Sequence, residues 1–153
     1  METTPFSVGK LLSDLVDRPV QMARADTPSF SSKVLFATYV VKPDCNIAVV
    51  KIDFAMLALL AGVMIGIPAK QVESQVAKGT MDDDLADSSR ELMNVLSSVV
   101  VGEGRAIFRR IVLKEVDLLA DERKLLAGGG ASRLSLKCTV SSQVAGYMTI
   151  VVS

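Results

Sequence analysis

Asp82-Asp83-Asp84-Leu85-Ala86-Asp87-Ser88-Ser89-Arg90-Glu91-Leu92-Met93-Asn94-Val95-Leu96-Ser97-Ser98-Val99-Val100 reads as one amphipathic helix. At about 100° per residue, Leu85, Leu92, Leu96, Val99 and Val100 share a stripe, with Met93 and Val95 at its margins. Asp87, Glu91, Asn94 and Ser98 fall on the opposite side, within an arc of roughly 60°. The spacing predicts a helix over 82–101 with Leu85, Leu92, Leu96 and Val99 buried. A helix that needs only solubility carries Lys and Glu on its wet side more often than Asn, whose amide competes for backbone hydrogen bonds. Asn94, one turn after Glu91, therefore marks a candidate site. The three leading aspartates suit a helix start, where a carboxylate caps free N–H groups and complements the macrodipole. Consecutive helical side chains diverge, so a metal site is not expected there.

Upstream, residues 54–68 form the most apolar run. At about 15 residues it falls short of the roughly 20 that a membrane span requires, so no membrane insertion is expected. Met56, Leu59, Leu60, Val63 and Ile67 are spaced for one face of a core helix. Residues 33–42, rich in β-branched and aromatic side chains, read as a strand. Pro43-Asp44-Cys45-Asn46 is a tight turn, and 47–53 the return strand of a hairpin. Residues 6–16 carry a helical stripe of Leu11, Leu12, Leu15 and Val16, ended at Arg18-Pro19. A turn is expected at 26–29 and a shorter helix at 69–78. Downstream, Gly102-Glu103-Gly104 ends the featured helix. Residues 106–119 look mainly extended, and 121–126 suggest a helical turn. Gly128-Gly129-Gly130 is a loop, and not a phosphate loop, since no Gly-Lys-Ser/Thr follows. Residues 133–140 alternate cleanly, with Leu134, Leu136, Cys138 and Val140 on one face. A turn over 141–146 and a last strand over 147–153 complete the chain. The expected architecture is a single α+β domain over 1–153: an antiparallel sheet with helices packed on one face.

The 153 residues include 17 basic and 17 acidic side chains, for a formal net charge of zero. That removes the electrostatic footprint of a general nucleic-acid binder. The absence of histidine excludes a Ser-His-Asp triad, a Cys-His pair, a histidine phospho-carrier and any His-ligated metal site. Cys45 and Cys138 lack metal-ligand spacing; they are expected as two buried thiols in a reducing, cytoplasmic setting. No secretory signal pattern opens the sequence.

Asp87-x-x-x-Glu91-x-x-Asn94 resembles the signature of the CheC/CheX/FliY family of bacterial chemotaxis phosphatases: an acidic or Ser residue, three residues, Glu, two residues, Asn, on an exposed helix. The order of elements agrees, including an apolar helix that ends in Gly and Pro before the signature helix. CheC carries two such helices. Here the first helix has no Glu-x-x-Asn, so the resemblance is closest to the single-site, CheX-like members. Ser97 and Ser98 stand where the family often has Gly.

The resemblance implies a phosphatase that assists hydrolysis of the phospho-aspartate of a CheY-like response regulator. Glu91 and Asn94 would be the catalytic pair: Asn94 orienting the attacking water, Glu91 pairing with the regulator's active-site lysine. Asp87 and Ser98 would lie in the docking surface. An acyl phosphate is already activated, so a helper has mainly to position a water, and a neutral amide suits that task. No cofactor is implied, because the partner receiver would hold the Mg²⁺. The alternative is a non-catalytic module of the same fold, binding a receiver or serving as a structural part of a flagellar or secretion switch. Half the residues are hydrophobic, and with zero net charge and a CheX-like layout a homodimer is expected.

Overall fold

The computed structural model describes residues 3–129 and 132–153. Gly130, the last residue of the glycine loop, lies outside them. The chain starts with helix α1 (Pro5–Val16). Thr4 and Ser7 cap it reciprocally, each backbone N–H donating to the other's hydroxyl at 3.0 Å, and Pro5 occupies the first turn, where its missing N–H costs nothing. Strands β1 (Val20–Arg24), β2 (Val34–Lys42) and β3 (Asn46–Asp53) follow. Then come helices α2 (Phe54–Ile65), α3 (Ala69–Lys78), α4 (Asp83–Val95) and α5 (Ser97–Val100). Strand β4 (Arg105–Val112) leads to a 3₁₀ turn (Glu115–Asp117), α6 (Ala120–Lys124) and a wide turn (Leu125–Gly129). Hairpin β5 (Ser132–Val140) and β6 (Gln143–Val152) ends the fold.

All six strands join one antiparallel sheet in the order β1-β5-β6-β3-β2-β4. This is the expected α+β architecture. Period-2 alternation sends Leu35, Ala37, Tyr39, Ala48, Val50, Ile52, Met148 and Ile150 into the main core, under α1, α2, α4 and α5. The opposite face carries a smaller cluster in which Leu118 and Leu125 cover Phe36, Val49, Val112 and Val151. A buried carboxylate fastens that cover: Glu122 Oε1 accepts from Arg110 Nη2 at 3.1 Å and from the Leu119 N–H at 2.8 Å.

Several local expectations need correction. Residues 106–119 are extended only as far as Val112; the exposed Leu113 and Val116 belong to a turn. The last strand begins at Gln143, so only Ser141 and Ser142, both at positive φ, make the turn. Strand β1 was not expected. It is short, and only Val20 is fully buried. The stripe expected on α2 is absent, because this helix is buried almost all round: Met56, Leu57, Ala58, Leu60 and Ala61 are fully enclosed. Cys138 is buried as expected, and burial pushes its thiol up to about 12. Cys45 is exposed in the β2–β3 turn.

One junction ties sheet to helices. The buried Asp53, between β3 and α2, accepts from the Ser31 N–H (2.8 Å), the Ser31 hydroxyl (2.9 Å) and the Tyr147 N–H (2.8 Å). Gly146, at φ +152°, leaves room for this carboxylate, since a Cβ there would lie 2.8 Å from Asp53 Oδ2.

Candidate functional site

Helix α2 is the platform for the site helix. Its small residues Ala58, Ala61 and Gly62 let neighbours approach closely, and a Cβ on Gly62 would meet Val72 of α3 at 2.5 Å. Helix α4 lies against this surface through Leu85, and the Ser88 hydroxyl donates to the Ala61 carbonyl at 2.8 Å. At its start, Asp82 accepts from the Leu85 N–H at 2.9 Å, the cap expected from the sequence. Gln75 of α3 holds the same residue twice: its amide donates to Asp82 Oδ2 (3.1 Å) and its carbonyl accepts from the Asp82 N–H (2.7 Å).

Leu85, Leu92, Met93 and Leu96 are fully buried, while Val99 is only half-buried. The helix does not run unbroken to 101. It stops at Val95, turns at Leu96, and restarts as α5. At the break the Ser98 hydroxyl donates to the Val95 carbonyl at 3.1 Å, and the Val99 N–H donates to the Leu96 carbonyl in the tighter three-residue pattern. Ser98 is therefore exposed but already engaged with backbone, on a segment separate from α4.

Asp87, Glu91 and Asn94 all lie exposed on α4. Asp87 meets Arg90 at 3.3 Å, with both side chains mostly in solvent, so the pair contributes little to stability. Among the described residues, the Glu91 carboxylate and the Asn94 amide make no hydrogen bond or ion pair. The two stand three residues apart, on adjacent turns of one face, with a negative charge beside a neutral donor–acceptor group. Such a pair offers a charged anchor and a means of orienting a water. No three His, Cys, Asp or Glu side chains among the described residues converge to hold a metal ion.

Sequence reasoning missed what fixes this face. Tyr39, fully buried in β2, donates from its hydroxyl to the Met93 carbonyl at 2.7 Å, one residue before Asn94. Its ring stacks edge-on against Phe108 at 5.7 Å. Burial pushes the phenol's ionisation well above its ordinary value, so the hydroxyl keeps its proton. The alternation of β2 places Tyr39 on the core face, but nothing in the sequence names its helical partner.

No family model matches the sequence, and no curated protein matches it. Solved structures do. A chain of the FliG-FliM complex from H. pylori aligns with TM-score 0.61 and 14% identity, over 97% of this chain and 86% of that one. The FliM middle domain from H. pylori aligns with TM-score 0.58 and 13% identity, over 96% and 83%. FliY from Thermotoga maritima gives TM-score 0.58 and 9% identity, over 95% and 82%. The chain has the CheC/CheX/FliY fold. No described helix is long and apolar enough to cross a membrane.

Proposed function

We propose that the chain docks on a phosphorylated CheY-like receiver domain through the exposed face of α4 and assists hydrolysis of its phospho-aspartate. Asn94 orients the attacking water. Glu91 pairs with the receiver's lysine and sets the register, and Asp87 touches the rim. The receiver supplies Mg²⁺, so this chain needs no cofactor of its own. The observation that carries the reading is the placement of Glu91 and Asn94 on one exposed face, both without a hydrogen-bond or ion-pair partner among the described residues, on a helix whose other side is buried. The working form is a cytoplasmic homodimer.

A second reading is favoured by the solved structures themselves, two of which contain FliM. In it the fold serves as a non-catalytic receiver-binding or structural module. The test is phosphate release from a panel of phosphorylated receiver domains, with and without the protein. Acceleration for at least one receiver supports the phosphatase reading. With binding to the same receivers measured in parallel, binding without acceleration moves the chain to the receiver-binding form of the second reading, and neither binding nor acceleration rejects both receiver readings and leaves the structural module.

A further inference from the structure

Helix α4 carries one cation, Arg90, to which the proposed reaction gives no role. Asp83, Asp84, Asp87 and Glu91 are exposed on the same helix. In the proposed complex this acidic face approaches a phosphoryl group, itself an anion, and like charges brought together cost free energy. Asp83 and Asp84 lie roughly 15 Å or more from Asn94 along the helix axis, beyond the Debye length of about 8–10 Å. Glu91 is taken up by the receiver's lysine. The charges left beside Asn94 are those of the Asp87–Arg90 pair.

Arg90 precedes Asn94 by one helical turn. At about 100° per residue it falls roughly 40° to one side of Asn94, and Glu91 falls roughly 60° to the other. Asn94 is thus flanked on neighbouring turns by one cation and one anion. In the free chain Arg90 Nη1 is drawn back to Asp87 Oδ1 at 3.3 Å. That contact is easily given up, because the two side chains are 60% and 76% exposed and exposed pairs contribute little. Nε and Nη2 of Arg90 bond to nothing among the described residues. A phosphoryl group carries more negative charge than one carboxylate and accepts a guanidinium fork bidentately.

We propose that on docking the Arg90 guanidinium leaves Asp87 and binds a non-bridging phosphoryl oxygen beside Asn94, which makes the α4 face selective for the phosphorylated receiver. The inference rests on the proposed function and adds the residue that reads the phosphoryl group. In the hydrolysis a water oxygen bonds to phosphorus while the bond from phosphorus to the aspartyl oxygen breaks. The carboxylate leaves with the electron pair, and the water's protons pass to phosphate and solvent. Arg90 offsets charge on an oxygen that takes part in neither bond.

The test compares affinity for a receiver holding Mg²⁺ and beryllium trifluoride, a stable phosphoryl mimic, with affinity for the same receiver holding Mg²⁺ alone. The ratio of the two cancels charge contacts elsewhere in the interface. Wild-type protein prefers the first form. Arg90→Ala keeps its melting temperature and lowers the ratio about tenfold or more. Arg90→Lys recovers part of the ratio, and Asp87→Asn, which releases the guanidinium, raises it. No preference in the wild type, an undiminished ratio in Arg90→Ala, or an equal loss in Asp87→Asn overturns the proposal. If the wild type binds no receiver, the proposed function fails with it; an unchanged Arg90→Ala beside an impaired Asn94→Ala overturns this inference alone.

Discussion

Helices α2 and α4 pack against each other yet obey opposite rules. In α2 nearly every face is covered, by the sheet on one side and by α3 and α4 on the other, with only Ala55, Leu59, Val63 and Met64 half-buried and Ile65 exposed at its end, and its composition is accordingly apolar without a usable stripe. In α4 one side is sealed and the other carries Asp87, Glu91 and Asn94 into solvent. The buried helix tolerates no change of volume. The half-buried one has a surface whose residues are free of folding duties. Substitutions should separate the two regimes.

The largest loss is expected at the centre of α2. Leu60→Ala removes a fully buried side chain from the main core, and urea unfolding should show a loss of about 2–5 kcal/mol. A loss below ~1 kcal/mol would mean that α2 is not the enclosed platform described above. Next comes Tyr39→Phe, which keeps the ring and deletes the donor to Met93. About 1–3 kcal/mol should be lost, because a buried carbonyl is left without its partner. If the site works as proposed, the phosphate-release rate falls as well, since Asn94 is displaced at the end of α4. Unchanged stability and rate together would remove Tyr39 from the support of the site.

Asn94→Ala should behave in the reverse way. Stability stays level or rises by up to ~0.7 kcal/mol, as Ala is the better helix former, and assisted dephosphorylation is largely lost. A drop in melting temperature would place Asn94 among the folding residues instead. Smallest of all is Asp87→Ala. It breaks only the exposed pair with Arg90, and the change should stay within about 0.5 kcal/mol.

The same contrast explains what was legible in the sequence. The α4 stripe was readable because only one side of that helix is buried, so periodicity maps directly onto environment. Leu85, Leu92 and Leu96 are fully enclosed as that periodicity requires. Five of the six strands were visible, wherever alternation or β-branched runs coincide with the core face. In α2 the expected stripe of Met56, Leu59, Leu60, Val63 and Ile67 mixes buried Met56 and Leu60 with half-buried Leu59 and Val63, because a helix that is apolar on every face carries no periodic signal of which side is the more covered. Strand β1 escaped notice because an edge strand with one well-buried residue, Val20, leaves almost no pattern. The end of α4 was misplaced because the chain turns at Leu96, where the Ser98 hydroxyl bonds back to the Val95 carbonyl, a competition that hydrophobic spacing does not register. Tyr39 and Gln75 hold α4 through tertiary partners, which no local window contains.

The central claim is that Glu91 and Asn94 form a working site on an otherwise structural helix. The most direct measurement is the dephosphorylation rate of a matched phospho-receiver with wild-type protein and with Asn94→Ala, at equal concentrations and with both shown to be folded. The expected result is acceleration by the wild type and a loss of about 10²-fold or more of that acceleration in the variant, the scale of a misplaced reacting group. Equal acceleration by the two proteins would contradict the claim.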